Sequence, residues 1–360
     1  MNFALVPWTD DDLKDGIFNL ENSRGRVAPL RMATIRMKEE FERLGHSLHT
    51  YDCYNDWAGV DYFLYWTIEW IAAEKIIKAG YGEKIIYCNA EPPTVCELHT
   101  EQGYEILKQI FPCILTWNPE WTDGKQIFKR CIPYFYNYSP STVPFAKRKL
   151  VTGISANKHS DYTEELYTER ENIYSYFESK YPNQFDFYGT YWDGTNHPCY
   201  RGTVDDKAEV FHKYKFAICF ENTRTRKDYI TEKIWDCLTS QIVPIYLGAE
   251  NIHEYVPEKC FIDFNDFESY DALAKFLLEM NEIQYQGYLD RAKEFLQSSV
   301  IQKFSGEQYA HDIIFAAGNM KSFAMTEYGQ KFLRSKVRKE KWNLCKMKLR
   351  RQFKKLLRGI

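Results

Sequence analysis

The stretch Phe216–Gly248, FAICFENTRTRKDYITEKIWDCLTSQIVPIYLG, restricts the fold of this chain more than any other segment. Phe216–Phe220 and Ile242–Leu247 are short, nearly unbroken apolar runs, the pattern of parallel strands covered by helices on both faces. Between them lie a polar, basic loop, Glu221–Tyr229, and a helical pattern opening at Thr231. Thr231 is a good cap, and the partial positive charge of a first helical turn favours an anion. A loop running from a strand's C-terminal end into a helix N-terminus is the usual ligand position of an open α/β sheet. Arg224, Arg226, Lys227 and Lys233 crowd that place, which gives it the properties of a phosphate site.

At 360 residues the chain exceeds what one core usually serves, so two domains are expected. Phe3–Val6, Lys84–Asn89 and Cys113–Trp117 read as strands, with helical patterns over Leu30–Leu44 and Tyr62–Ala79, giving a first βα domain over residues 1–149. Tyr134–Pro144 is the linker candidate. A second domain, 150–330, opens on the strand Leu150–Ser155. It continues through the helix Tyr162–Tyr181, the strand Phe185–Tyr188 and the helix Asp206–Tyr214. The 27 Tyr, 24 Phe and 9 Trp would suit a sugar-facing cleft, but most large rings fill cores.

The formal net charge of −3 hides an asymmetry. Residues 331–360 hold 13 Lys or Arg and one acid, a net of +12, and leave 34 basic and 49 acidic groups, −15, for the body. Trp342, Cys345, Leu349, Phe353, Leu356 and Ile360 recur at helical spacing, with Lys348, Arg350, Arg351, Lys354, Lys355 and Arg358 around them. Such a helix suits the surface of an anionic bilayer. The alternatives are a helix packed on the body, a solvated tail, or a nucleic-acid-binding arm; nucleic acid is not the expected partner. MNFALVPWTDDD lacks a secretory apolar core, and the ten cysteines show no Cys-x-x-Cys spacing, so reduced thiols and a cytoplasmic setting are expected. Neither the acidic run Asp10–Asp12, nor Asp263 and Asp266, nor the eight histidines have metal-ligand spacing.

The motifs FENT, DYITEK, IVPIYLG and PEKCFIDFNDF, in that order, resemble the donor-binding signature of glycosyltransferase family 10, the α-1,3/4-fucosyltransferases that use GDP-fucose. The likeness is dense from Tyr200 to Phe267 and thinner around Glu91; Thr223, Ile230 and the unusually basic loop depart from it. The resemblance implies a GT-B fold, two Rossmann-like domains facing across a cleft, the first for acceptor and the second for donor. It also implies roles. Lys233 and Arg201 would meet the donor diphosphate, Glu232 the ribose hydroxyls, and Asn222 and Tyr229 would line the donor pocket. Glu91, in NAEPPTV after the strand IIYCN, would be the base. Each has a plainer reading: Glu232 complementing the helix dipole, Lys233 solvated, Asn222 capping a turn, Tyr229 packing, Arg201 on a surface loop, Glu91 exposed before a Pro-Pro turn.

The expected protein is therefore a metal-independent, inverting α-1,3-fucosyltransferase acting on a GlcNAc- or Glc-type sugar of a surface glycan such as lipopolysaccharide O-antigen. Its donor is GDP-fucose and its acceptor an oligosaccharide or glycolipid; no cofactor is required, with a divalent ion at most a stimulant. Animal members of the family are membrane-anchored secretory enzymes, so a bacterial enzyme held by its 331–360 tail on the inner face of the cytoplasmic membrane fits better. The alternatives are the same fold with GDP-mannose or a UDP-sugar, or a non-catalytic, membrane-tethered glycan- or sugar-nucleotide-binding protein.

Overall fold

The computed structural model describes residues 1–22, 28–67, 69–88, 90–224 and 226–357, with residues 22, 28, 29 and 348–357 as backbone alone. Two parallel sheets carry the chain. The first has the order β2-β1-β3-β4-β5-β6, built from β1 (Asn2–Val6), β2 (Ser47–Thr50), β3 (Tyr62–Tyr65), β4 (Ile85–Cys88), β5 (Cys113–Thr116) and β6 (Ile127–Lys129). Helices α1 (Ala28–Arg43), α2 (Trp70–Lys78) and α3 (Glu101–Leu107) connect them. The second sheet has the order β11-β10-β9-β7-β8, from β7 (Lys149–Ile154), β8 (Phe185–Tyr188), β9 (Tyr214–Phe220), β10 (Val243–Leu247) and β11 (Ile262–Asp263). Its helices are α4 (Tyr167–Lys180), α5 (Lys207–Phe211), α6 (Glu232–Thr239), α7 (Tyr270–Glu279) and α8 (Glu282–Phe295).

The apolar runs became strands for the reason the pattern gave. In β9, Phe216, Ile218 and Phe220 pack into one core while Ala217 and Cys219 pack into another. A strand buried on both faces has no polar face to show. The same rule corrects the helix expected over Tyr62–Ala79. Tyr62–Tyr65 is strand β3, paired with β1 and β4, and the helix begins only at Trp70. Phe63 and Tyr65 face one core and Leu64 the other, so the segment carries no period to separate it from a buried helix. Ile68 within that span, and Asn89 at the end of the expected strand Lys84–Asn89, lie outside the described residues. Cys88, Cys219 and Cys237 are buried free thiols.

Beyond α8 the chain returns to the first sheet. Helix α9 (Gly306–Gly318) lays Tyr309, Ala310, Ile313 and Ala317 against Phe3, Met37 and Phe41. Gly306 allows the approach, since a Cβ there would stand 2.0 Å from the Ala33 carbonyl oxygen. Helix α10 (Glu327–Leu357) then packs on α2. Leu333 and Val337 enter the core around Tyr65 and Phe111, and a Glu340 carboxylate oxygen accepts from the Trp70 backbone N–H at 2.6 Å. Lys336 pairs with Glu97 and Lys341 with Glu74. Residues 306–318 thus pack with the first domain, and Lys331–Lys341, expected as the start of a tail, belong to the folded body. Past that point Trp342, Leu344 and Met347 are exposed. The side chains of Leu349, Phe353, Leu356 and the surrounding basic residues, and all of Arg358 and Ile360, lie outside the described residues.

Candidate active site

The two sheets present their C-terminal edges to each other, and the loop between β9 and α6 spans the gap. Lys227 pairs with Glu120 at 3.3 Å and Asp228 with Lys129 at 2.9 Å. The Tyr229 ring lies 4.8 Å from that of Trp117. Glu120, Lys129 and Trp117 all follow or belong to the last strands of the first sheet. The remaining cations of this loop are also engaged: Arg226 meets Glu164 at 2.7 Å, and Arg224 meets Glu169 at 3.6 Å. A basic loop that looked free for phosphate is held by its own acidic neighbours.

The N-terminus of α6 is organised by Glu221, to which sequence reasoning gave no role. Its carboxylate is fully buried and accepts from the Thr231 backbone N–H at 2.8 Å and from the Thr231 hydroxyl at 2.7 Å. The Lys233 ammonium reaches the same carboxylate at 3.2 Å and the Thr231 oxygen at 2.9 Å. Gly248, which ends the IVPIYLG motif, is required by this arrangement. A Cβ on it would lie 2.5 Å from Glu221 Cγ, in a side chain that is pinned and cannot retreat. FEN, TEK and IYLG are therefore three parts of one packing unit.

Lys233 stands at the mouth, with Glu232 3.5 Å away. Burial alone would depress the lysine, but Glu221 and Glu232 outweigh it and hold its pKa above the ordinary value. Burial likewise pushes Glu232 up, yet the Lys233 and Lys207 cations bring its carboxyl down to about 2. Both groups are fixed charges at any working pH. Behind them a narrow cavity is lined by Arg170, Lys207, Lys233, Asp236 and Ser155. Arg170 is buried on the inward stripe of α4, where it donates to the Phe220 carbonyl at 3.1 and 2.7 Å and to Asn222 Oδ1 at 2.9 Å. A charge at an apolar-stripe position (Tyr167, Arg170, Ile173, Tyr174, Phe177) was the signal that could have found it.

Of the expected residues, Glu232, Lys233 and Asn222 come together at this edge. Asn222 is held on both sides, its amide also donating to the Tyr229 hydroxyl at 3.3 Å. Tyr229 is 2% exposed and packs between the domains with Trp117 and Ile132, so its plainer packing reading describes this form. Arg201 stands apart: its Nε meets buried Asp186 at 2.7 Å, and an Nη donates to the Pro198 carbonyl at 2.6 Å.

Glu91 follows β4 in the first domain. Burial is the main influence on its carboxyl and raises the pKa; Glu232 adds to the rise, while Lys233, Lys158 and Arg130 oppose it. The first and second domains therefore place Glu91 and the Glu232–Lys233 pair within each other's field. Among the described residues no cluster of metal-ligating side chains occurs.

Comparison with known proteins agrees with this geometry. Residues 145–313 match the C-terminal region of glycosyltransferase family 10 (fucosyltransferase). The second domain is similar to the C-terminal domain of that family. The rat 4-galactosyl-N-acetylglucosaminide 3-alpha-L-fucosyltransferase 9 is 30% identical over 228 residues, 59% of this chain and 54% of the relative. The chain thus spans about half the length of the curated relatives it matches. A solved α1,3-fucosyltransferase bound to GDP superposes with a TM-score of 0.56 at 15% identity, covering 90% of this chain and 92% of the other. The same comparison with an α1,3-fucosyltransferase holding GDP-fucose gives 0.54, also at 15% identity, over 90% of each chain. These likenesses show the GT-B fold across both domains, including the first, which the family match does not reach.

Proposed function

We propose that this chain is an inverting α-1,3-fucosyltransferase that takes fucose from GDP-fucose. The reading is carried by Glu232 and Lys233, at the head of α6, lying within electrostatic reach of Glu91 in the other domain, in a chain whose second domain is similar to that of family 10. Lys233, fixed at the N-terminus of α6, is the counter-charge for the departing diphosphate. The Glu232 carboxylate, ionised throughout, accepts from a ribose diol. Glu91 takes the acceptor hydroxyl's proton as the new bond to the sugar's anomeric carbon forms and the bond to the phosphate oxygen breaks, the electron pair leaving with GDP. Its raised pKa makes it a stronger base than an exposed carboxylate. No step needs a metal-bound group, because the nucleoside diphosphate is a stable leaving group once its charge is met.

The acceptor in this reading is a GlcNAc- or Glc-type sugar of a bacterial surface glycan such as lipopolysaccharide. The helix beyond Lys341 brings the enzyme to anionic lipid at the cytoplasmic face of the membrane. Exposed Trp342, Leu344 and Met347 beside Lys346 support that placement; among the described residues no helix is long and apolar enough to cross a membrane. A turnover screen with GDP-fucose, GDP-mannose and UDP-sugars against a GlcNAc-terminated acceptor tests the reading. Transfer from GDP-fucose alone is expected; transfer only from another donor, or from none, overturns it.

A further inference from the structure

The segment that carries Glu91 is held by a histidine that the proposed reaction leaves unused. His99 is fully buried, and its Nδ1 lies 2.8 Å from the Glu91 carbonyl oxygen. A carbonyl can only accept, so Nδ1 carries the proton and donates it. Nε2 is then bare and accepts from the Tyr87 hydroxyl, 2.8 Å away. Tyr87 belongs to β4, four residues before Glu91, and its ring stacks on Phe111 at 4.9 Å and an interplanar angle of 4°. The imidazole thus ties the residue after the strand back to the strand itself.

The rest of the loop supports the same point. Pro92 and Pro93 are buried, the Pro92 carbonyl accepts from Val95 and Cys96, and the His99 backbone N–H donates to Cys96. Lys336 of α10 pins Glu97 from outside. His99 faces the rings of Tyr87 and Tyr104, and burial brings its pKa down to about 4. It stays neutral, with one tautomer, over the range in which a glycosyltransferase works.

We propose that His99 is a positioning residue for Glu91, fixing through the Glu91 carbonyl the distance from the base to the cleft opposite Lys233. The inference rests on the reading of Glu91 as the base. Its physical content is that the carboxylate has several rotatable bonds, so the backbone must be fixed for proton transfer to be efficient, and misplacement by about 1 Å can lower a rate 100-fold.

The test measures transfer kcat and GDP affinity in single and paired variants of the full chain. His99→Leu should lower kcat by about 30- to 100-fold while GDP affinity stays within twofold. His99→Gln, whose amide can still donate to the carbonyl, should recover most of that loss. In a Glu91→Gln background, His99→Leu should cost nothing further, because it acts through a group already disabled. Tyr87→Phe keeps the stack and removes the hydroxyl, so a 3- to 10-fold fall in kcat is expected, and this variant decides the matter should His99→Leu fail to fold. Full kcat in folded His99→Leu or Tyr87→Phe, or an equal further loss in the Glu91→Gln background, overturns the inference. Full kcat in Glu91→Gln instead overturns the reading of Glu91 and leaves His99 a structural group.

Discussion

Glu221→Gln isolates the unit that shapes the donor side of the cleft. The substitution keeps volume and shape but replaces one acceptor oxygen by an NH2 group. Placed where Oε2 stands, that group faces the Thr231 hydroxyl at 2.7 Å and the Lys233 ammonium at 3.2 Å; placed where Oε1 stands, it faces the Thr231 N–H at 2.8 Å. Either way a buried donor meets a donor, and Lys233 loses a full negative partner. A hydrogen bond to a charged group is worth about 1.5–3 kcal/mol, and an unsatisfied buried donor costs about 1–3 kcal/mol. The lower-cost orientation, with the amide against the backbone N–H, destabilises by roughly 2–4 kcal/mol. For a chain of this size that corresponds to a fall of about 3–5 °C in Tm. Differential scanning calorimetry reads the shift, and GDP titration of the same variant should show weakened binding because the first turn of α6 and Lys233 are no longer fixed. A Tm and a GDP affinity both equal to wild type would refute the organising role of Glu221.

Gly248→Ala should destabilise by about 1–3 kcal/mol, since its methyl must displace a held Glu221 side chain; chemical denaturation checks it, and an unchanged midpoint contradicts the packing argument. Glu91→Gln should lower transfer by roughly two to four decades with GDP still bound. The wild-type rate should fall as pH drops through the Glu91 pKa, at a midpoint above the ordinary carboxylate value of 4.5 because burial favours the protonated form; a pH–rate profile with no such acid limb opposes its role as base. Arg201→Ala should leave GDP affinity within twofold by calorimetry, because the guanidinium meets Asp186 beside Lys149 and Tyr214, the residues that open β7 and β9, away from the strand ends that lead to Lys233. Ending the chain after Trp342 should abolish pelleting with anionic liposomes and spare transfer to a soluble acceptor. Ending it before Lys331 should lower Tm as well, because Leu333, Val337 and Glu340 are part of the body.

Much of the donor side was legible because its chemistry is local. A strand, a capped helix and a following strand sit within Phe216–Gly248, and their motifs carry Glu232 and Lys233 directly. What escaped reading was long-range. Glu221 gained its role from Thr231 and Lys233, ten and twelve residues away, and Gly248 from an approach that only the folded sheet creates. Arg170 lies 52 residues before the Asn222 side chain it holds. His99 looked like one more histidine without ligand spacing, since its partner is a backbone carbonyl, which no sequence displays. The basic loop misled in the other direction: Arg224 and Arg226 find carboxylates in the segment before and within α4, and Lys227 finds one in the first domain. The strand at Tyr62–Tyr65 was hidden because burial on both faces erases periodicity. The return of α9 and α10 to the first sheet is tertiary, and the net charge of the last thirty residues gave no hint that their first third is packed.

The central claim is that Lys233 at the head of α6 meets the diphosphate of a GDP-sugar. Isothermal titration of GDP into the wild-type protein and into Lys233→Ala tests it without reference to any acceptor. Loss of a charge-assisted contact to phosphate should weaken binding by about 2–3 kcal/mol, roughly 30- to 150-fold, with the fold retained by circular dichroism. Equal GDP affinity in the two proteins would place the diphosphate elsewhere and contradict the account.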